Sequence, residues 1–456
     1  MWMVHRPRNE KSRLIGRLAF GVGVKRPPEG GLLEENFGSC SVLKSPQNSY
    51  QHLHLAWTSR EMGIFRVMLA LAVFAAHIEG FFDQGKTHPL ITRDVLHVYV
   101  WSGHAVFAFF IISGFYMAMV ICEKYSKMEG GTRKFYLNRA LRLYPANWVM
   151  LATIALFMAT IGMPNFLLMD SPDGRHWLNV GAILAHVFFF GSETIAFSDP
   201  HNWYYVFGPV WSLSLEVYFY VLAPFIVVRS KGFIAALALA SLALRLSLYF
   251  AGFGVVPWRY FFFPSDFVFF LMGVLAYHAY ASVRNASWFL GLRPAMAIAM
   301  FAIVLYKPFW NFGGQDNINS WIFYGVIAIC TPFAFDLTRK SVIDNFIGQL
   351  SYPIYIGHTM MNMITDQYSG PIDKSVRSLI GVVVFAMLVY FAVDGPIEKL
   401  RAAISRRKLD SHKMAQDQPC NAATLSDPAR AHVAVRRSGA RCEIKLADKI
   451  DGGCAG

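Results

Sequence analysis

The chain has 456 residues, 55% hydrophobic and only 16% charged, with a mean hydropathy of +0.37. Apolar stretches of about 20 residues recur along it, which excludes a soluble globular protein and indicates a polytopic helical membrane protein. The net charge of +13 does not argue for nucleic acid, because cytoplasmic loops and tails of membrane proteins accumulate Lys and Arg.

Residues 1–61 are polar, basic and punctuated by Gly and Pro, as in "KRPPEGGLLEENFGS". They lack the uninterrupted apolar core of a secretory signal. A disordered cytoplasmic extension is expected, unless translation starts at Met62, just before the first apolar segment.

Eleven apolar segments follow, near 62–82, 99–122, 146–163, 178–191, 209–228, 232–252, 264–282, 287–306, 318–337, 347–366 and 377–394. The fourth, "LNVGAILAHVFFFG", falls short of the 17 or so residues a helix needs to cross the hydrocarbon core. Lys124, Lys127, Arg133, Lys134, Arg139 and Arg142 follow the second segment, so that connection should be cytoplasmic. If the fourth segment spans, Arg229, Lys231, Arg339 and Lys340 fall outside; if it does not, they and the basic tail fall inside. The expected fold is therefore an all-α polytopic membrane protein with ten crossings and both termini cytoplasmic. The fourth segment becomes an interfacial or re-entrant piece. Residues 62–400 form the integral-membrane domain, and 401–456, poor in aromatics, a disordered basic tail. No internal repeat of the kind transporters carry is evident, and the six cysteines show neither zinc-ligand nor disulfide spacing.

The first segment, "FRVMLALAVFAAH", opens on Arg66 and closes on His77. Both are costly inside a lipid-spanning helix. Eleven steps at about 100° place them on one helical face, about 16 Å apart along the axis. Taken singly, Arg66 reads as an interfacial anchor and His77 as a packing hydrogen bond; the pair on one face points to a shared ligand or channel. Further along, Ser113 and Gly114 sit in the middle of an aromatic span. Arg139 and Arg142 are three apart, on one face beside the membrane. Trp211, Ser212, Ser214 and Glu216 open another span, and "LSYPIYIGH" supplies Ser351, Tyr352, Tyr355 and His358. The "ISGF" around Ser113 is not a nucleophile elbow, since isoleucine stands two before the serine; a small-residue pair for close helix approach fits better.

This ordered set resembles the membrane-bound acyltransferase-3 family, which O-acylates bacterial surface carbohydrates. The resemblance covers about residues 62–400. It rests on the arginine and histidine with ten residues between them, "FFIISGF", "NRALRLYP", "WSLSLE" followed by "YFY", and "LSYPIYIGH". The first 61 residues have no counterpart in the family, and the hydrolase-like domain that some members append is absent. The resemblance implies a multi-pass protein of the bacterial inner membrane. It implies acetyl-CoA or another acyl-CoA as co-substrate, with no bound cofactor. The acceptor would be a hydroxyl of an exopolysaccharide, a lipopolysaccharide O-antigen or a secreted oligosaccharide.

The residues fit that chemistry. Arginine's forked donors suit the phosphates of coenzyme A, so Arg66, Arg139 and Arg142 are the expected donor-binding set. The pantetheine arm matches the Arg66–His77 separation and would bring the thioester to the histidine. His77 can take the proton of the attacking hydroxyl, or accept the acyl group and pass it on. Glu216 is a second catalytic candidate, orienting an imidazole or meeting the acceptor. Ser113, Trp211, Ser214, Tyr352 and His358 are candidate substrate contacts. No metal is expected, as neither an HExxH nor a Cys/His cluster occurs. The competing reading is a transporter of a free or lipid-linked saccharide, since intramembrane Arg, His and Glu also mark transport paths.

Overall fold

The computed structural model describes residues 62–81, 89–161, 168–170, 176–178, 180–191, 197, 209–310, 316–368, 370–401, 433–438 and 441–446. All belong to the unit Gly38–Gly456; the basic extension 1–61 lies outside them. Hydrocarbon offers a backbone no hydrogen-bond partner, so a spanning segment must bond within itself. Each apolar segment is accordingly a helix: α1 Gly63–Phe81, α2 Ser102–Glu123, α3 Gly131–Ile161, α4 Val180–Phe188, α5 Val210–Ile226, α6 Lys231–Phe250, α7 Phe263–Val283, α8 Ser287–Leu305, α9 Ile318–Thr338, α10 Val342–Asp366 and α11 Lys374–Val389. Helix α11 continues through a wide turn, Tyr390–Asp394, to Arg401.

Seven of these, α2, α3, α6, α7, α8, α9 and α11, are long and apolar enough to cross a membrane. The protein is thus a multi-pass membrane protein. Of the three remaining expected crossings, α1, taken over Gly63–Ile78, and α5 are apolar but shorter. Helix α10 has the length, at 25 residues, but carries Gln349, Ser351, His358 and Asn362, all buried. These three hold most of the site described below.

Side-chain pairings fix relative directions. Phe107 meets Phe269, Phe110 meets Phe270 and Phe115 meets Tyr277, so α2 and α7 run parallel. Trp211 meets Tyr260, Phe219 meets Phe270, and His278 binds the Val227 carbonyl, so α5 runs with them. Two helices that run the same way are separated by an odd number of crossings. Between α2 and α5 lie α3, about 46 Å long, and the nine residues of α4, about 14 Å, which leaves α4 too short to count. Helices α1 and α10 are likewise parallel: Gly63 abuts Asp344 and Gly348, while His77 meets His358.

Close approaches rest on glycines. A Cβ on Gly114 would overlap the Phe270 backbone, and one on Gly273 would overlap the backbone of Ile111 and Phe115. The α2–α7 contact is therefore backbone against backbone. Gly114→Ala should destabilise the fold by about 1–3 kcal/mol through overpacking. Gly325→Ala, where a Cβ meets nothing within 4 Å, should not. Thermal unfolding in detergent compares the two.

The basic connections gather at one end of the bundle. Arg284 pairs with Glu123, Lys231 donates to Ser282, Arg293 and Arg339 pair with Asp336, and Arg401 donates to Asn138. Toward the other end lies a buried network. Arg245 bridges Asp266 and Asp316, Arg259 adds a bond to Asp316, and the Arg245 guanidinium lies about 5 Å from the Phe107 and Phe269 rings. In the tail, expected to lack structure, the described residues form an antiparallel hairpin, β3 Val433–Ser438 with β4 Arg441–Leu446. Val433 with Val435 and Ile444 with Leu446 recur at the period of two that strands favour. A shorter pair, β1 Leu168–Asp170 with β2 His176–Leu178, precedes α4.

Candidate active site

Helix α1 is seated by its first turn. The N–H groups of Gly63 and Ile64 donate to the two Asp344 oxygens at 2.9 and 3.0 Å, and Met62 N–H donates to the Tyr116 hydroxyl at 2.9 Å. A buried carboxylate at a helix N-terminus satisfies otherwise orphaned donors and complements the dipole. It also locks α1 onto α10, which fixes where Arg66 and His77 point.

One turn in, Arg66 shares electrostatic interactions with Arg142, Tyr116, Glu216 and Tyr220. Glu216 accepts hydrogen bonds from Ser113 at 2.7 Å and Tyr220 at 2.5 Å on one oxygen. The Arg139 guanidinium lies about 6 Å from the Phe135 and Tyr220 rings, and its Nε is buried without a partner. Arg142 donates to Gln349 at 2.9 Å and lies over Tyr352, whose hydroxyl donates to the Leu143 carbonyl. Two further cations join this group electrostatically: Lys124 with Arg139 and Arg401, and Arg401 with Arg139 and Arg142. Among the described residues, five cations (Arg66, Lys124, Arg139, Arg142, Arg401) thus stand against four acids (Glu216, Asp344, Asp394, Glu398), a surplus of one. An enclosed positive surplus favours an anion over a cation.

About 16 Å along α1 stands His77. Its Nδ1 lies 2.8 Å from the Val73 carbonyl. A carbonyl only accepts, so the shared hydrogen is on Nδ1 and the neutral ring keeps its lone pair on Nε2. The His358 ring lies 4.9 Å away, centroid to centroid. Its Nδ1 is 2.6 Å from the Tyr355 carbonyl, which gives the same tautomer, and its buried Nε2 has no partner. The Tyr355 hydroxyl bonds Ser212 at 2.6 Å, tying α10 to α5 at this level. Among the described residues no three His, Cys, Asp or Glu side chains gather to hold a metal.

The profile described as an acyltransferase domain, that of the acyltransferase-3 family, matches residues 60–394. The chain belongs to this family. Nodulation protein 10 of Rhizobium leguminosarum bv. viciae is 23% identical over 391 residues, which cover 80% of this chain and 99% of that protein. No solved structure matches the chain. As an acyltransferase-3 member the protein is an enzyme, an acyltransferase.

The fold gathers Arg66, Arg139, Arg142, Ser113, Glu216 and Tyr352 at one end of the α1 face, and His77 with His358 at the other. Two residues have neighbours that the sequence did not indicate. Glu216 bonds Ser113 and Tyr220 rather than an imidazole, because one turn of α5 puts it level with the arginines. Trp211 packs on Tyr260, Phe110 and Phe261, in an aromatic cluster rather than against either histidine. Ser214 is fully buried. Gly114, beside Ser113, does provide the close helix approach, while Ser113 itself bonds Glu216. Sequence reasoning assigned none of Asp344, Tyr116, Lys124, Arg401 and Asn362 to the site. Only Asn362 left a readable signal, as a polar residue one turn after His358 in an apolar run.

Proposed function

We propose that the protein is an O-acyltransferase that moves an acetyl group from acetyl-CoA to a hydroxyl of a bacterial surface or secreted carbohydrate. One observation carries this reading: a cluster of arginines with surplus positive charge and an imidazole of defined tautomer share one helical face, separated by the reach of a pantetheine arm. The phosphates bind Arg66, Arg139 and Arg142, supported by Lys124 and Arg401, and the thioester arrives at His77. His77 Nε2 takes the proton of the acceptor hydroxyl as its oxygen bonds to the acyl carbon. The C–S bond breaks, sulfur leaves as thiolate, and the imidazolium returns the proton to give free coenzyme A and an ester.

The same reading orients the protein in the bacterial inner membrane. Ten crossings, with both termini and the basic end in the cytoplasm, follow from the charge bias and agree with the helix directions. The donor then enters from the compartment that contains it.

The test uses inverted membrane vesicles given acetyl-labelled acetyl-CoA, with label followed into alkali-labile carbohydrate. Arg139→Ala should raise the donor KM about tenfold or more, as loss of a charge-assisted contact predicts, with kcat recovered at saturating donor. Its Nε has no protein partner, and unfolding in detergent reports whether loss of its contacts with the Phe135 and Tyr220 rings costs structure. Vesicles that transfer no label but take up a labelled saccharide would establish the transporter reading instead.

A further inference from the structure

Helix α10 carries a group of buried polar atoms that the chemistry above leaves unused. Asn362 is fully buried, and both its Oδ1 and its Nδ2 lack partners; the Thr359 hydroxyl and His358 Nε2 are also unpartnered. Several comparable hydroxyls and amides elsewhere bond back to their own helix. Thr331 donates to the Ile327 carbonyl, Thr365 to the Met361 carbonyl and Asn138 to the Lys134 carbonyl. Leaving a buried donor or acceptor unmade costs about 1–3 kcal/mol each, so a cluster of them in a single turn calls for an absent partner.

The position of the cluster indicates that partner. The side of α10 toward α11 is marked by Gly357 against the Phe385 ring and by Met361 against Gly381. His358 and Asn362 each follow one of these residues, about 100° round the helix, and His358 meets His77 of α1. Because α1 and α10 are parallel, Asn362 stands one turn, about 6 Å, farther from the arginines than His358 does. It is on the side of the histidines away from the donor.

Resting on the acyl-transfer reading, we propose that His358 and Asn362 form a subsite for a second hydroxyl of the acceptor, adjacent to the one that His77 activates. The acceptor is therefore a vicinal diol of a sugar ring. The attacking hydroxyl donates to His77 Nε2. Its neighbour donates to His358 Nε2, which in this tautomer can only accept, and receives a hydrogen bond from the Asn362 amide. A hydroxyl is both donor and acceptor, so one group bonds His358 Nε2 and the Asn362 amide N–H together. Such a site discriminates strongly, because an acceptor lacking the second hydroxyl strands the buried groups again.

Two measurements test this on the full-length protein in vesicles, with the cells' own carbohydrate fraction as acceptor. In the first, that fraction is oxidised with periodate, which cleaves vicinal diols, and then reduced with borohydride. The wild type should label the untreated fraction and lose at least nine-tenths of the label on the treated one; equal labelling would overturn the proposal. In the second, Asn362→Leu replaces an unpaired amide by an apolar group of similar volume. It should unfold at or above the wild-type temperature and keep the donor KM, yet lose about tenfold to a hundredfold in kcat/KM for the carbohydrate. Unchanged acceptor kinetics, or a loss shared with donor KM and unfolding temperature, would assign Asn362 to the scaffold. A wild type that labels no carbohydrate refutes the acyltransferase reading itself, an outcome distinct from failure of the subsite.

Discussion

His77→Ala should lower acetyl transfer by about 10²–10⁴-fold, the contribution of a positioned general base, with the protein inserted at wild-type level. His77 is half-buried, and its Nδ1 bonds the carbonyl of its own helix. What the substitution deletes is the Nε2 lone pair at the end of the path from Arg66. His77→Gln, which keeps a polar head without an imidazole base, should be as inactive. The wild-type rate should fall as pH is lowered, because protonation removes the base. Vesicles matched for protein and supplied with labelled acetyl-CoA decide the matter: transfer by His77→Ala at the wild-type rate would take the histidine out of the chemistry. Addition of free imidazole gives a second readout. A base can be supplied from solution where the cavity admits it, and partial recovery would separate lost chemistry from lost structure.

The placement of Arg66 and His77 was legible because both lie on one helix, whose 3.6-residue period converts eleven steps into one face. The insufficiency of α4 was legible for a similar reason: its length and the flanking charges are local quantities. His358 was recognisable only as part of a motif. Its position 4.9 Å from His77 depends on the parallel packing of α1 and α10, which Gly63, Gly348 and Asp344 set across some 280 residues of chain. No periodicity reports such a contact. The neighbours of Glu216 were hidden for the converse reason. An acid near a histidine in a list of motifs suggests an orienting pair, yet the parallel run of α5 and α2 brings it to Ser113. Lys124 and Arg401 looked like ordinary loop charges, since only the folded bundle shows that their helix ends adjoin Arg139.

The buried network of Arg245 was missed although its signal was present, an arginine inside "LALASLALRLSLYF". It supports the second large effect. Arg245→Met should destabilise the protein by about 3–5 kcal/mol, the cost of leaving a buried charge without its partner. Arg245 and Asp266 are fully enclosed, and Arg259 and Asp316 nearly so. Two positive and two negative charges cancel, so removing one cation strands Asp266 in a low-dielectric interior where Arg259 bonds Asp316 instead. Thermal unfolding in detergent should show the loss. The double substitution Arg245→Met with Asp266→Asn should recover part of it, because the stranded charge is then gone. A single variant as stable as the wild type would mean that water or ions reach the network, and that the four charges are not sealed within the bundle. Transfer activity per folded molecule supplies the remaining discrimination. The network joins α6, α7 and the segment before α9, whereas Arg66, Arg139, Arg142, His77 and His358 lie on α1, α3 and α10. Surviving Arg245→Met molecules should accordingly turn over acetyl-CoA at the wild-type rate, which marks the network as the clamp that holds the bundle and not as part of the acyl path.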